Sequence, residues 1–314
     1  MSKLSIIVPV YFNAPTLVEL HEELVKVADK LAGAETEMIF VDDGSGDNSF
    51  EVLSSLAKRD GRCRVVKLSR NYGSAIAIAA GLEFSTGDCA VIVSADLQDP
   101  PLLIEEMYRS WTQGYSIVLG VRRSRKDPLL SKFFSALNYF LIRRFGIKDI
   151  PKGGTDFVLY DRKIINVLEA LTERNSNLLI HALRTGYSRR VLYYDRLARK
   201  EGKSRWTFSK KLKFFIDTFT AFSYFPLRLV SAMGFVVAGI GFLYALLIVT
   251  LRLLYGDVVE GWASLMVVVL VVSGGQLIGI GTIGEYLWRV LEEVRRRPTF
   301  LIEKTIGFDK PQDQ

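Results

Sequence analysis

The sequence predicts an α/β domain built on a parallel sheet, followed by two membrane-spanning helices. Three observations carry that expectation. Apolar strand-like runs alternate with segments of helical period through residue 116 or so, the signature of a sheet covered by helices. Polar clusters rich in Asp, Gly, Ser and Asn follow the apolar runs. Near the C-terminus lie two charge-free stretches, each exceeding the roughly 20 residues needed to cross hydrocarbon as a helix.

The elements follow in order. Residues 5–10 read as a buried strand, too short and too β-branched for a secretory leader. Residues 15–31 are helical, with Leu17, Leu20, Leu24 and Val27 on one face. Residues 37–41 form a strand and 49–57 a helix. Strands at 64–68, 89–93 and 115–119 then alternate with helices at 74–84 and 102–111.

Composition narrows the partners. Apolar residues make up 49% of the 314, and the net charge is +7. An anionic partner therefore fits: a phosphate, a nucleic acid or an acidic membrane. No nucleic-acid recognition fold accompanies the charge, so nucleic acid is not expected as a partner. Cys63 and Cys89 are too few for a disulfide framework or a zinc site, and a reducing compartment fits them.

In a parallel α/β sheet, ligands bind at the carboxyl ends of the strands. The polar clusters obey that rule: Pro9-Val10-Tyr11 after the first strand, Asp42-Asp43-Gly44-Ser45 after the second, Ser69-Arg70-Asn71-Tyr72-Gly73 after the third, and Ser94-Ala95-Asp96 after the fourth. Each alone is ordinary turn chemistry; four at one sheet edge make a site. Asp42 or Asp43 can accept hydrogen bonds from a base or ribose. Asp96 offers a hard oxygen to Mg²⁺ or Mn²⁺, which would neutralise a diphosphate. No P-loop is present and no GxGxxG follows any of these strands, so phosphate must be held by a metal and basic side chains.

These four clusters, together with the extended run Ala95-Asp96-Leu97-Gln98-Asp99-Pro100-Pro101, resemble those of family-two inverting glycosyltransferases with the GT-A fold, a Rossmann-like nucleotide-diphospho-sugar transferase domain. More narrowly, the whole chain is similar to bacterial polyprenyl-phosphate glycosyltransferases related to dolichyl-phosphate mannose synthase, through to the tail Gly284-Glu285-Tyr286 and Arg297-Pro298. The resemblance implies that Pro9, Tyr11 and Asp42 bind base and ribose, with Asp43, Arg70, Asn71 and Ser94 completing the nucleotide site. It implies that Asp96 coordinates the metal with Gln98 as a further ligand, and that Asp156 lies near the transferred sugar. Two departures stand out. Tyr11-Phe12-Asn13 replaces the usual Tyr-Asn-Glu, and Ser94-Ala95-Asp96 replaces Asp-Ala-Asp, so one carboxylate is missing from each loop. Processive polysaccharide synthases share the donor half but carry Gln-x-x-Arg-Trp; here Gly202-Lys203-Ser204-Arg205-Trp206 lacks the Gln.

The expected domains are a catalytic domain over 1–205, an amphipathic juxtamembrane helix over 206–227, two spans within 228–287 and a tail over 288–314. The spans run over about 229–251, between Arg228 and Arg252, and about 261–284, between Glu260 and Glu285. Residues 187–213 carry 10 Lys or Arg against 2 acids, whereas 252–261 carries 1 basic residue and 2 acidic ones. Positive residues stay cytoplasmic, which puts the catalytic domain and both termini in the cytoplasm of a bacterial inner membrane. Glycines at 234, 239, 241, 274, 275, 279 and 281 suit close helix packing; with the resemblance, they lead us to expect a homo-oligomer.

The acceptor side is basic. Residues 120–145 carry seven Lys or Arg against Asp127, and from 129 turn amphipathic; 207–222 behaves similarly. Such helices before a span read as interfacial and bind membrane lipids. A polyprenyl phosphate acceptor suits them, its phosphate met by Arg122, Arg123, Lys132, Lys203 and Arg205.

Overall fold

A computed structural model describes residues 2–31, 33–123, 157–170, 178–196, 225–255, 261–295 and 298–308. The chain divides into two units: Met1–Phe214 with Arg297–Gln314, and Phe215–Arg296.

The first unit is built on an eight-stranded sheet. Its strands are β1 (Ser2–Val10), β2 (Ala34–Asp42), β3 (Cys63–Leu68), β4 (Cys89–Ile92), β5 (Ile117–Arg122), β6 (Phe157–Asp161), β7 (Arg189–Tyr194) and β8 (Ile302–Ile306). They lie in the order β7-β5-β6-β4-β1-β2-β3-β8. β1 pairs parallel with β2 and β4, and β2 parallel with β3. β6 is antiparallel to both β4 and β5, so those two run the same way; β7 is parallel to β5. Six strands therefore end at one edge, and only β6 and β8 run against them. The functional consequence is that the segments after β1, β2, β3, β4, β5 and β7 all leave the sheet on the same side.

Helices α1 (Ala14–Lys30), α2 (Ser49–Arg59), α3 (Ser74–Glu83), α4 (Leu103–Thr112), α5 (Arg162–Glu169) and α6 (Leu178–Arg184) connect or flank the strands. α1 starts with proline in its first turn, where no intrahelical donor is lost. It buries Leu17, Leu20, Leu24 and Val27, a stripe at helical spacing. They meet Leu4, Ile6, Val8, Met38 and Phe40 in the larger core cluster. α3 covers the other face, where Ala77 and Ala80 pack on Ile39, Val41 and Val66. A Cβ at Gly81 would stand 2.4 Å from the Ile7 side chain, so this helix approaches the sheet as closely as it does because a glycine faces it. α5 is capped by Asp161, which accepts from the Lys163 amide at 3.0 Å.

Opposite the loop-bearing edge, buried Glu37 accepts from Ser5 Oγ (2.6 Å) and from the Thr86 amide and hydroxyl (2.7 and 2.9 Å), and pairs with Lys3 and Arg64. Burial opposes its ionisation, but the hydrogen bonds and Lys3 outweigh burial and hold its pKa below the usual carboxylate value.

The expected strands correspond to β1–β5, and the expected helices to α1–α4, with ends shifted by a few residues. Three strands were not anticipated: β6, β7 and β8. β8 lies in the tail and hydrogen-bonds to β3 as the sheet's outer strand.

The second unit contains α7 (Phe225–Tyr255) and α8 (Trp262–Val294). Gly279 of α8 faces α7, its Cβ position 3.4 Å from Val230 Cγ1. Among the described residues, one segment has the length and hydropathy of a membrane span: Val230–Leu251, with a mean hydropathy of 2.4 and no buried share. Phe235 and Leu253 are 80% and 82% exposed, a surface that water does not favour. α8 is a continuous 33-residue helix covering the second expected span.

Candidate functional site

The loops after β1 and β2 are tied together. Asp43 N donates to Val10 O at 2.9 Å and Phe12 N to Ser45 Oγ at 3.0 Å. The Tyr11 amide donates to Asn13 Oδ1 at 3.0 Å, and the Asn13 amide to Ser49 Oγ at 3.1 Å. Phe12 sits at φ 57°, a left-handed conformation costly for a bulky residue. Its ring packs edge-on against Tyr11, 4.7 Å between centroids. Two aromatic rings thus stand together beyond the end of β1, next to partly exposed Pro9.

Asp42 and Asp43 differ sharply. Asp43 accepts from the Tyr72 amide at 2.7 Å and the Gly73 amide at 2.9 Å, one per oxygen, and so fixes the loop after β3. Asp42 Oδ1 accepts from the Ser45 amide at 3.1 Å, while its Oδ2 is buried and meets no donor among the described residues. A buried carboxylate oxygen without a partner is costly and suits a ligand donor. Burial pushes both carboxyls above the ordinary value against the pull of their hydrogen bonds. Gly44, at φ 66°, lets this loop lie on the next: its Cβ would fall 2.4 Å from the Arg70 carbonyl carbon. Arg70 stacks over the Tyr72 ring at 4.4 Å, and Asn71 is exposed beside it.

The loop after β4 folds around Asp96. Ser94 Oγ donates to Asp96 Oδ1 at 2.9 Å, and the Gln98 amide to the same oxygen at 3.3 Å. Leu97 adopts φ 55° with its side chain buried, pinning the turn that carries Asp96 and Gln98. Thr16 Oγ1 donates to Ala95 O at 2.8 Å, anchoring the loop to α1. Asp96 Oδ2 faces the guanidinium of Arg196, with Nη2 at 3.8 Å. A cationic group already stands before that oxygen, and Asp96 and Gln98 are hard oxygen donors on one short loop. These residues fit a divalent cation. Among the described residues, no group of three or more His, Cys, Asp or Glu could hold a metal.

Arg122 ends β5 and Tyr194 ends β7, in register with each other. Both reach Asp99, which is fully buried. Tyr194 OH donates to Asp99 Oδ1 at 2.6 Å, and Arg122 Nη2 and Arg196 Nε lie 4.0 and 3.8 Å from that oxygen. Arg122 Nε also donates to Tyr194 OH at 3.3 Å. Burial raises the Tyr194 pKa, as does the neighbouring Asp99. Arg123 points elsewhere, pairing with exposed Asp195 at 3.7 Å.

The structure thus brings Pro9, Tyr11, Asp42, Asp43, Arg70, Asn71, Ser94, Asp96, Gln98, Arg122 and Arg123 to the edge where six strands end. Asp156, Lys132, Lys203 and Arg205 lie outside the described residues. Asp99, Tyr194 and Arg196 were not among the expected site residues. Recognising β7 as a parallel strand would have marked Tyr194 and Arg196 by the same carboxyl-end rule.

Residues 5–169 match the family model described as glycosyl transferase family 2. An uncharacterized glycosyltransferase, YkcC, of Bacillus subtilis (strain 168) is 37% identical over 97% of this chain and 94% of its own length. The undecaprenyl-phosphate 4-deoxy-4-formamido-L-arabinose transferase of Pectobacterium atrosepticum is 35% identical over 99% of this chain and 96% of its own. A solved structure of glucosyl-3-phosphoglycerate synthase from Mycobacterium tuberculosis superimposes with a TM-score of 0.48 at 16% identity, over 69% of this chain and 77% of that one. A mixed sheet with its polar loops at one edge, matched by the family model across β1 to α5 and by relatives along nearly the whole chain, identifies this protein as a glycosyltransferase of family 2.

Proposed function

We propose that this chain transfers one sugar, with inversion, from a nucleotide sugar to a polyprenyl phosphate at the cytoplasmic face of the membrane. A UDP-sugar is the favoured donor. The observation that carries the reading is the division of one sheet edge. The loops after β1–β3 offer an aromatic pair and a buried carboxylate oxygen awaiting a donor. The end of β5 brings the Arg122 guanidinium beside Asp99, and the segment after β7 brings that of Arg196 beside Asp96. The first half suits a nucleoside and the second suits phosphate. Relatives named as undecaprenyl-phosphate sugar transferases along the full length support the acceptor class.

The chemistry follows from those parts. Asp42 would accept from the base or ribose while Tyr11 and Pro9 bound the nucleoside. Asp96 and Gln98 would hold Mg²⁺ or Mn²⁺, whose charge neutralises the departing diphosphate. A phosphate monoester has its second pKa near about 6 and is largely ionised at neutral pH. Its oxygen attacks the anomeric carbon as the bond from that carbon to the diphosphate oxygen breaks. No proton has to be removed, so Asp156 would orient the sugar rather than act as a base. Arg122, with Arg123, Lys132, Lys203 and Arg205, would position the acceptor phosphate.

The membrane part fits a lipid acceptor. β8 belongs to the same sheet as β1–β7, which supports an even number of crossings by the chain between them. With Val230–Leu251 as one span, α8 supplies the return.

The test is a panel of UDP- and GDP-sugars with polyprenyl phosphate, read as lipid-linked product from the purified full chain. Transfer from at least one sugar nucleotide, abolished by Asp96→Ala, is expected. A folded protein that transfers from none of them would overturn the reading.

A further inference from the structure

Arg196 stands at the centre of the site. Its guanidinium lies between two carboxylates, 3.8 Å from Asp96 Oδ2 and 3.8 Å from Asp99 Oδ1. Both distances exceed hydrogen-bonding range, so the pairing is one of charge, and among the described residues no acceptor takes a hydrogen bond from the guanidinium. The side chain is 31% exposed, unlike Asp99, which is fully buried. Tyr194 and Arg122 already engage the Asp99 oxygen that Arg196 faces. Arg196 is therefore the most loosely held cation in the cluster, and the one set against the carboxylate expected to take a metal.

Resting on the glycosyltransferase reading, we propose that Arg196 is a phosphate-binding residue that exchanges Asp96 for a phosphate oxygen when a divalent cation occupies that carboxylate. The reason is electrostatic. A cation taken up by Asp96 alone removes the counter-charge of Arg196 and sets two positive groups close together in a partly desolvated site. A phosphate bound beside them restores the balance, and the planar guanidinium suits its oxygens. Asp99 and Tyr194 keep the end of β7 in place during the exchange. Arg196 thus opposes metal uptake without phosphate and favours it with phosphate, making the two ligands bind together.

A structural role cannot produce opposite-signed effects, and the test uses this. The full chain in detergent is compared as wild type, Arg196→Gln and Arg196→Lys. Mn²⁺ binding alone is followed by electron paramagnetic resonance, and UDP and inorganic pyrophosphate binding in Mn²⁺ by calorimetry. For Arg196→Gln, Mn²⁺ alone should bind about threefold to tenfold tighter, as one like charge is gone. UDP and pyrophosphate with Mn²⁺ should bind about tenfold to a hundredfold weaker, the worth of a charge-assisted contact. Arg196→Lys should fall between, since it keeps the charge without the fork. If Mn²⁺ binding tightens and diphosphate binding holds while the KM for polyprenyl phosphate rises tenfold or more, the phosphate is the acceptor's. Loss of both affinities together, no change in Mn²⁺ binding, or no change in any phosphate ligand overturns the proposal. Failure of the wild type to glycosylate polyprenyl phosphate would count against the acceptor reading and leave the Mn²⁺ and UDP comparison standing.

Discussion

Asp42 and Asp43 are adjacent, chemically identical and both buried, yet their surroundings assign them separate work. Asp43 spends both oxygens on the amides of Tyr72 and Gly73. Asp42 keeps Oδ2 buried without a donor among the described residues. The two asparagine variants should therefore separate. In Asp43→Asn the amide turns its NH₂ toward a backbone N–H, leaving a buried donor unsatisfied at about 1–3 kcal/mol. Thermal stability and nucleotide affinity should fall together. Asp42→Asn keeps an acceptor for the Ser45 amide and changes only the oxygen offered to a ligand, so UDP affinity should drop by about tenfold or more with the melting temperature nearly unchanged. Equal losses of stability in both variants, measured by thermal melts beside UDP calorimetry, would remove the distinction. Sequence reasoning brought both residues to the site but had no means of dividing them, because the partners of Asp43 come from a loop some 30 residues further on.

At the scale of elements, the legible part was the part made of local contacts in sequence order. β1–β5 and α1–α4 alternate along the sequence, are apolar or amphipathic, and are punctuated by Gly, Asp and Asn turns. β6, β7 and β8 are strands of 5 or 6 residues whose partners are remote in sequence, so nothing nearby announces them. Arg196 was hidden the same way, as one basic residue in a run of many. β8 shows what such a strand contributes. It alternates Ile302, Lys304 and Ile306 with Glu303 and Thr305, and Leu301 O accepts from the Ser69 amide at 2.9 Å, at the base of the loop carrying Arg70 and Asn71. Phe300 is buried with Ile39, Val41, Leu68 and Phe84, and Glu303 pairs with Lys67 at 2.8 Å. The tail thus closes the sheet edge beside the loop after β3. Phe300→Ala should cost about 3–5 kcal/mol, as large-to-small core changes do, and weaken UDP binding by loosening that loop. Glu303→Ala, at a half-exposed ion pair, should cost less than about 1 kcal/mol. A Phe300→Ala protein with wild-type melting and UDP affinity would show that β8 is a passive edge.

For the whole molecule, β8 fixes a constraint that hydropathy alone does not. A strand hydrogen-bonded to β3 must share a compartment with it, so a membrane entered after the catalytic domain must be left again before residue 302. Val230–Leu251 has the length and hydropathy of a span; if it crosses, parity requires α8 to return. The alternative satisfying the same parity is a hairpin that never crosses. Labelling with a membrane-impermeant maleimide separates the two. The native thiols give little background, since Cys63 and Cys89 are buried, and burial pushes the Cys63 thiol up to about 12 and Cys89 up as well. Val258→Cys, between α7 and α8, and Gln312→Cys, in the tail, provide one reporter each. With two crossings and a cytoplasmic catalytic domain, Val258→Cys should label in right-side-out vesicles and Gln312→Cys only in inverted ones. Both labelling in inverted vesicles alone would mean a hairpin lying on the cytoplasmic surface. Labelling on opposite faces in the reverse sense would place the catalytic domain outside, contrary to the positive charge of residues 187–213. The first two patterns leave the catalytic domain on the side of a cytoplasmic nucleotide sugar, and the third does not.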